Sequence, residues 1–287
     1  MQTEDYVPKW KDSTSMALWS VVAFNILKVT MIVYPFCAFP ARIYNIVENS
    51  SSPLNSVEEV FGSITTVIIV LEVLSLLALV SYTYAMGRFA CSQVFWKDKR
   101  PIRQARSGIV LLAISLVIGI FVVIAKGFSL ALLAVLVCTW VIDIIAYHII
   151  KDGFLQLSQS PHFDAKAQRG ASDLKSAANF SIMYMVTPFV AFAILALFAV
   201  IIFGIVSSAP SSYQADSLDP FDYLGQTAGN AKNIYEATRT IGELAVLLSI
   251  LSFGAMALLE ILTIFFSING WIGFHKGSLT GSTSNPS

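Results

Sequence analysis

Six apolar stretches, near 17–39, 62–87, 109–126, 128–150, 181–207 and 243–269, take up most of this 287-residue chain. A hydrocarbon core of roughly 30 Å is crossed by about 20 helical residues rising 1.5 Å each, so every stretch is long enough to span it. Backbone in lipid must satisfy its own hydrogen bonds, and a helix does so within one segment. The pattern therefore predicts an all-α, polytopic membrane bundle of six transmembrane helices. The composition agrees: 56% of residues are hydrophobic, 13% are charged and the mean hydropathy is +0.71, against about 25% charged in soluble domains. The spans and their connections consume the chain, which reads as a single membrane domain. The first apolar run is of full span length with no small-residue cleavage site after it, which reads as a retained anchor.

Charge sets the expected orientation. The 88–108 connection holds Arg88, Lys97, Lys99, Arg100, Arg103 and Arg106, and the 151–180 connection holds Lys151, Lys166, Arg169 and Lys175. Lys9, Lys11 and Lys276 in the terminal segments bring that side to thirteen basic residues, against Arg42, Lys126, Lys232 and Arg239 on the other. Basic residues in short loops stay in the cytoplasm. Both termini are therefore expected to be cytoplasmic, with 40–61 and 208–242 as outer loops, in the plasma membrane. Trp19 and Trp271 fall near the cytoplasmic ends of their spans, where interfacial tryptophans are common. The third and fourth spans are separated only by Lys126-Gly127 and their neighbours. One helix over 109–150 would run about 63 Å, so a tight hairpin is expected there.

The connections carry three local signals. Ser56-Val57-Glu58-Glu59 has the capping-box form that starts a helix. Asn49-Ser50-Ser51 matches an N-glycosylation acceptor on the expected outer side. The basic 88–108 connection, through Lys97, Lys99, Arg100, Arg103 and Arg106, is expected to attract anionic lipid headgroups, each charge contributing about 1 kcal/mol before screening. The net charge is zero, which gives no reason to expect a nucleic-acid partner.

Ionisable residues inside the spans are costly, at about 2.5–3.5 kcal/mol for a charge at the bilayer centre, and face the bundle interior. Lys28 lies in the first span one turn beyond Asn25, Glu72 in the second, Asp143 in the fourth and Glu260 in the sixth. Lys28, Glu72 and Glu260 come to similar depths, so the lysine is expected to meet one of these two acids. One lysine cannot neutralise three carboxylates. These five residues either fix helix packing or handle protons or cations. The three acids sit in similar aliphatic runs on the even-numbered spans, and Gly87/Phe89, Gly153/Phe154 and Gly273/Phe274 recur near the exits. Three copies of a two-helix hairpin would give this pattern.

The segment Lys151-Asp152-Gly153-Phe154-Leu155-Gln156-Leu157, followed by Phe163 and Gly170 before the next span, resembles the basic-Gly-Phe linker of uncharacterised archaeal multi-span membrane proteins that share a domain of unknown function. That resemblance implies a multi-pass membrane protein and no activity.

Motifs of catalysis and cofactor binding do not occur in the sequence. Cys37, Cys91 and Cys138 form no CxxC, and HExxH, GxSxG and P-loop patterns are missing. His148, His162 and His275 are not placed to pair across a haem. No metal or other cofactor is expected. The sequence points to a non-enzymatic accessory or scaffolding subunit associated with other membrane subunits. The alternative is a small carrier or channel for protons, cations or a solute, built on the intramembrane carboxylates.

Overall fold

The computed structural model describes residues 6–49, 53–92, 99–125, 130–208 and 220–277. Six helices form among them: α1 (Tyr6–Asn49), α2 (Pro53–Ser92), α3 (Arg100–Ile124), α4 (Leu130–Ser158), α5 (Ala165–Ser208) and α6 (Pro220–Lys276). Five contain segments long and apolar enough to cross a membrane: Trp10–Met31, Ile64–Cys91, Arg100–Ile124, Ala165–Ile202 and Thr238–Lys276. The chain is thus a multi-pass helical membrane protein. α3 and α4 are separate helices packed on one another. The Lys126-Gly127 turn itself lies outside the described residues, as do Lys97 and the Ser50-Ser51 half of the glycosylation motif, whose Asn49 is the last residue of α1.

The helices outrun the apolar stretches, and the connections are correspondingly shorter than hydropathy suggests. Of the 151–180 connection only residues 159–164 are non-helical, and Cys91, placed by sequence in a loop, belongs to α2. Hydropathy registers the hydrocarbon, whereas a helix continues wherever one face can be buried. In α5 that face is Ala167, Ala171, Leu174 and Ala178, all buried, at the spacing of one helical stripe. Asp164 caps the start of this helix: its Oδ1 accepts the Ala167 N–H at 2.8 Å, satisfying one of the first-turn donors. At α2 the helix begins at Pro53, three residues ahead of the expected Ser56 cap. Proline suits a first helical turn because its missing N–H would have no intrahelical partner there.

The chain clusters into two compact units, Met1–Met185 with Leu259–Ser287, and Val186–Leu258. The core belongs to the first, and it concentrates at the end carrying the basic connections. Phe89, Phe154, Phe163, Trp271 and Phe274 are fully buried there, with Trp10 beside them. Ring centroids stand 4.8 Å apart for Trp10–Phe89, 5.3 Å for Phe89–Phe274 and 6.3 Å for Phe154–Trp271, within the range of favourable aromatic pairs. The three recurring phenylalanines of the even-numbered helices thus converge on one cluster. Trp271, expected at the lipid interface, instead sits in the middle of this cluster, because the helices continue beyond the span ends and enclose it. Trp19 is exposed.

Close helix approach makes the cluster possible. A Cβ on Gly153 would lie 2.7 Å from the Pro101 carbonyl oxygen, and one on Gly170 would lie 2.6 Å from that of Gly270. Only glycine lets α4 meet α3, and α5 meet α6, at these points. The N-terminal turn is tied to the end of α6 as well. Trp10 Nε1 donates to the Phe274 carbonyl at 2.7 Å, and Thr14 Oγ1 lies 3.1 Å from His275 Nδ1.

Among the described side chains of the second unit, large apolar groups point outward. Phe192, Leu197, Val200, Val246, Ile250 and Leu251 are all largely exposed. None of the most apolar 18-residue window of α5 is buried.

Candidate functional site: an intramembrane polar cluster

Among the described side chains, Lys28 is the buried lysine or arginine of the first unit. About two and a half turns of largely apolar helix separate it from Trp19, so its ammonium must find a partner within the bundle. It does: Nζ lies 2.7 Å from Glu260 Oε2, with the two residues only 8% and 2% exposed. Of the two acids at its expected depth, the lysine meets Glu260 and joins α1 to α6. The Tyr184 ring of α5 covers the ammonium, its centroid 4.1 Å from Nζ. A desolvated cation over an aromatic face gains about 2 kcal/mol. Tyr184 was not legible as a ligand, because an aromatic residue in an apolar run looks the same whether it faces lipid or a buried charge.

Other polar groups gather around this pair. Asp143 of α4 lies near Lys28 and near the Ser115 hydroxyl. Ser115 donates to the Thr139 carbonyl at 3.2 Å. The hydroxyl has a single proton, which this bond takes up. Tyr147 of α4 and Ser181 of α5 line one cavity, near Asp143 and Glu260. Buried Asn25 lines a cavity of about 60 Å³ together with Tyr82, Tyr147, Ser181, Thr263 and Ser267. A water needs roughly 10–15 Å³ of such volume and two to four polar partners, so this cavity accommodates ordered water. The Thr263 hydroxyl is bonded to the Leu259 carbonyl at 2.9 Å. It is therefore not free to donate into the cavity.

Two carboxylate oxygens are buried with no hydrogen-bond partner among the described residues, Glu260 Oε1 and Glu72 Oε2. Their situations differ. Glu260 is half satisfied by Lys28, whereas Glu72 on α2 has neither a cation nor a donor on its buried oxygen. The structure thus brings Lys28 and Glu260 together with Asp143 near them, places Asn25 on the neighbouring cavity, and leaves Glu72 outside that group. Trp271 Nε1 is also buried without a geometrically acceptable acceptor, although the Tyr82 hydroxyl is close to it. Among the described residues no group of three His, Cys, Asp or Glu side chains could hold a metal ion.

The basic residues expected to meet lipid headgroups lie around the start of α3. Arg100, Arg103 and Arg106 are exposed and Lys99 is half-buried. Comparison with known proteins adds no relative: no family model matches the chain, and neither does any curated protein or solved structure.

Proposed function

We propose that this chain is a non-enzymatic accessory or scaffolding subunit of a membrane assembly. In this reading it sits in the plasma membrane with both termini in the cytoplasm and its basic α3 start against anionic headgroups. The observation that carries the reading is the Lys28–Glu260 pair, whose lysine is bonded to one carboxylate at 2.7 Å and covered by Tyr184. A cation held in this way fixes α1 against α6 and α5. The glycine contacts and aromatic cluster act to the same end, building a rigid body.

A second reading, a proton or cation carrier, is favoured by the unpartnered oxygens of Glu72 and Glu260 and by the polar groups that reach the mostly apolar cavity. Intramembrane carboxylates of this kind line ion pathways in other proteins. One experiment separates the two. Purified protein is reconstituted into vesicles carrying a pH-sensitive dye, and proton and monovalent cation flux is followed under an imposed gradient. The subunit reading expects flux no greater than in protein-free vesicles. Flux that Glu72→Gln or Glu260→Gln abolishes would establish the carrier and overturn it.

A further inference from the structure

A groove of about 500 Å³ runs between α2 and α3. Its α3 wall is Arg106, Val110, Ala113, Ile114, Val117 and Ile118, and its α2 wall is Leu76, Val80, Thr83 and Tyr84. On each helix every lining residue has another three or four positions away, so each wall is one continuous helical stripe. The single charge in the groove is at one end. The Arg106 guanidinium lies over Gly87, where an added Cβ would come within 3.3 Å of Cζ. No ion pair engages Arg106 among the described residues. Thr83 turns its hydroxyl to the Leu79 carbonyl at 2.9 Å, leaving its methyl for the groove. Tyr84 is exposed beside the charged end, where a phenol suits the headgroup level.

The dimensions match one leaflet. From Arg106 to Ile118 is twelve residues, about 18 Å along the helix, and half of a bilayer's hydrocarbon core is about 15 Å. We propose that the α2/α3 groove binds one anionic phospholipid, its phosphate on Arg106 and an acyl chain along Val110, Ala113, Ile114, Val117 and Ile118. This goes beyond the general attraction of the basic segment for headgroups and rests on the same charge sign. It differs in being a single site with a shaped apolar floor. Any zwitterionic lipid can cover the floor, but only a net negative headgroup complements an arginine with no acidic partner among the described residues.

The test uses the full chain, purified in mild detergent and delipidated, then titrated with phosphatidylglycerol or phosphatidylcholine. Native mass spectrometry counts the retained lipids. One phosphatidylglycerol should be retained in preference to phosphatidylcholine, and millimolar inorganic phosphate should not displace it. Arg106→Gln should weaken that first binding event about tenfold, the loss of one charge-assisted contact. Ala113→Trp, which fills the groove and leaves every charge in place, should weaken it comparably; it decides the matter if Arg106→Gln fails to fold. Arg103→Gln, exposed and outside the groove, should change it less than about twofold. Replacing Lys99, Arg100 and Arg103 together with glutamine should remove later, weaker adducts and spare the first. If those later adducts persist, general headgroup attraction fails while the groove stands. Equal retention of the two lipids, equal effects of Arg103→Gln and Arg106→Gln, or a first adduct that survives Ala113→Trp would overturn the site.

Discussion

The two units use the same apolar vocabulary to opposite ends. In the first, Ile102, Ile109, Phe89 and Phe154 are closed in by glycine-mediated helix contacts and a ring of aromatics. In the second, phenylalanines and β-branched residues of equal size stand outward: Phe192 is 72% exposed and Val200 70%. In water such a surface would be an aggregation hazard. In lipid it costs nothing, because the surrounding acyl chains are as apolar as the side chains. Within the lipid-spanning part of the first unit, hydrophobicity therefore cannot be what packs the helices; only the aromatic cluster, beyond the span ends, can draw on it. The unit's helices associate through the features that lipid cannot supply: close backbone approach at Gly153 and Gly170, polar pairing at Lys28, and interlocked rings. The second unit, over its described side chains, carries few of these. Cβ atoms added at Gly242 and Gly254 would meet nothing within 4 Å.

The largest expected effect attacks the polar pairing. Lys28→Met leaves Glu260 buried without its cation, and breaking a buried pair from one side costs about 3–5 kcal/mol. Thermal unfolding in detergent should show that loss, and Lys28→Met with Glu260→Gln should recover part of it. Glu72→Gln should not rescue, because Glu72 lies outside that group. Rescue by Glu72→Gln instead would mean that the lysine serves the other acid, and that the first unit is not held at Glu260.

A smaller effect tests backbone approach and should differ in sign between the units. Gly153→Ala drives a methyl into the Pro101 carbonyl and should cost about 1–3 kcal/mol, the usual range for overpacking. Gly254→Ala has open space and gains helix propensity, so it should be neutral or stabilising by up to about 1 kcal/mol. Matching losses at the two glycines would erase the distinction between the units.

These tests also mark what was legible in the sequence. Helix number was, because hydropathy and helix length act together over about 20 residues. The depth of Lys28 against Glu260 was legible too, since depth follows from counting residues along a helix. Helix ends were not: the Ala-, Lys- and Gln-rich start of α5 carries no lipid signal, and only its buried stripe against neighbouring helices shows why it is helical. The choice of Glu260 over Glu72 depends on rotation about the helix axis, which residue counting does not fix. Trp10 and Tyr184 were missed for the same reason, and Trp271 was assigned to the interface because burial by other helices has no signature in its own span.

Trp10 gives the next smaller effect. Trp10→Phe keeps a ring among Phe89, Phe163 and Phe274 but removes the 2.7 Å hydrogen bond to the Phe274 carbonyl. A loss of about 1 kcal/mol is expected. It should be accompanied by faster hydrogen exchange at residues 10–20 and at the end of α6. A stability loss without that local change would mean that the bond does not tie the N-terminal turn down.

The smallest expected effect is the most informative about the second unit. Phe192→Ala removes a ring that touches little of its own chain, so unfolding of the purified protein should shift by less than about 0.5 kcal/mol. Phe154→Ala removes a ring of the same size from the first unit's core and should cost about 3–5 kcal/mol. The comparison acquires meaning when both variants are solubilised gently from membranes and sized on native gels. If lipid alone covers Phe192, its truncation leaves the particle size unchanged. If another subunit covers it, the ring is lost from an interface, and the complex should shrink or dissociate while the chain itself stays folded. That outcome would support the accessory-subunit reading on the face where the side chains are least used internally. A Phe192→Ala loss approaching that of Phe154→Ala would show that the second unit packs its own apolar surface, and the contrast between the units would fail.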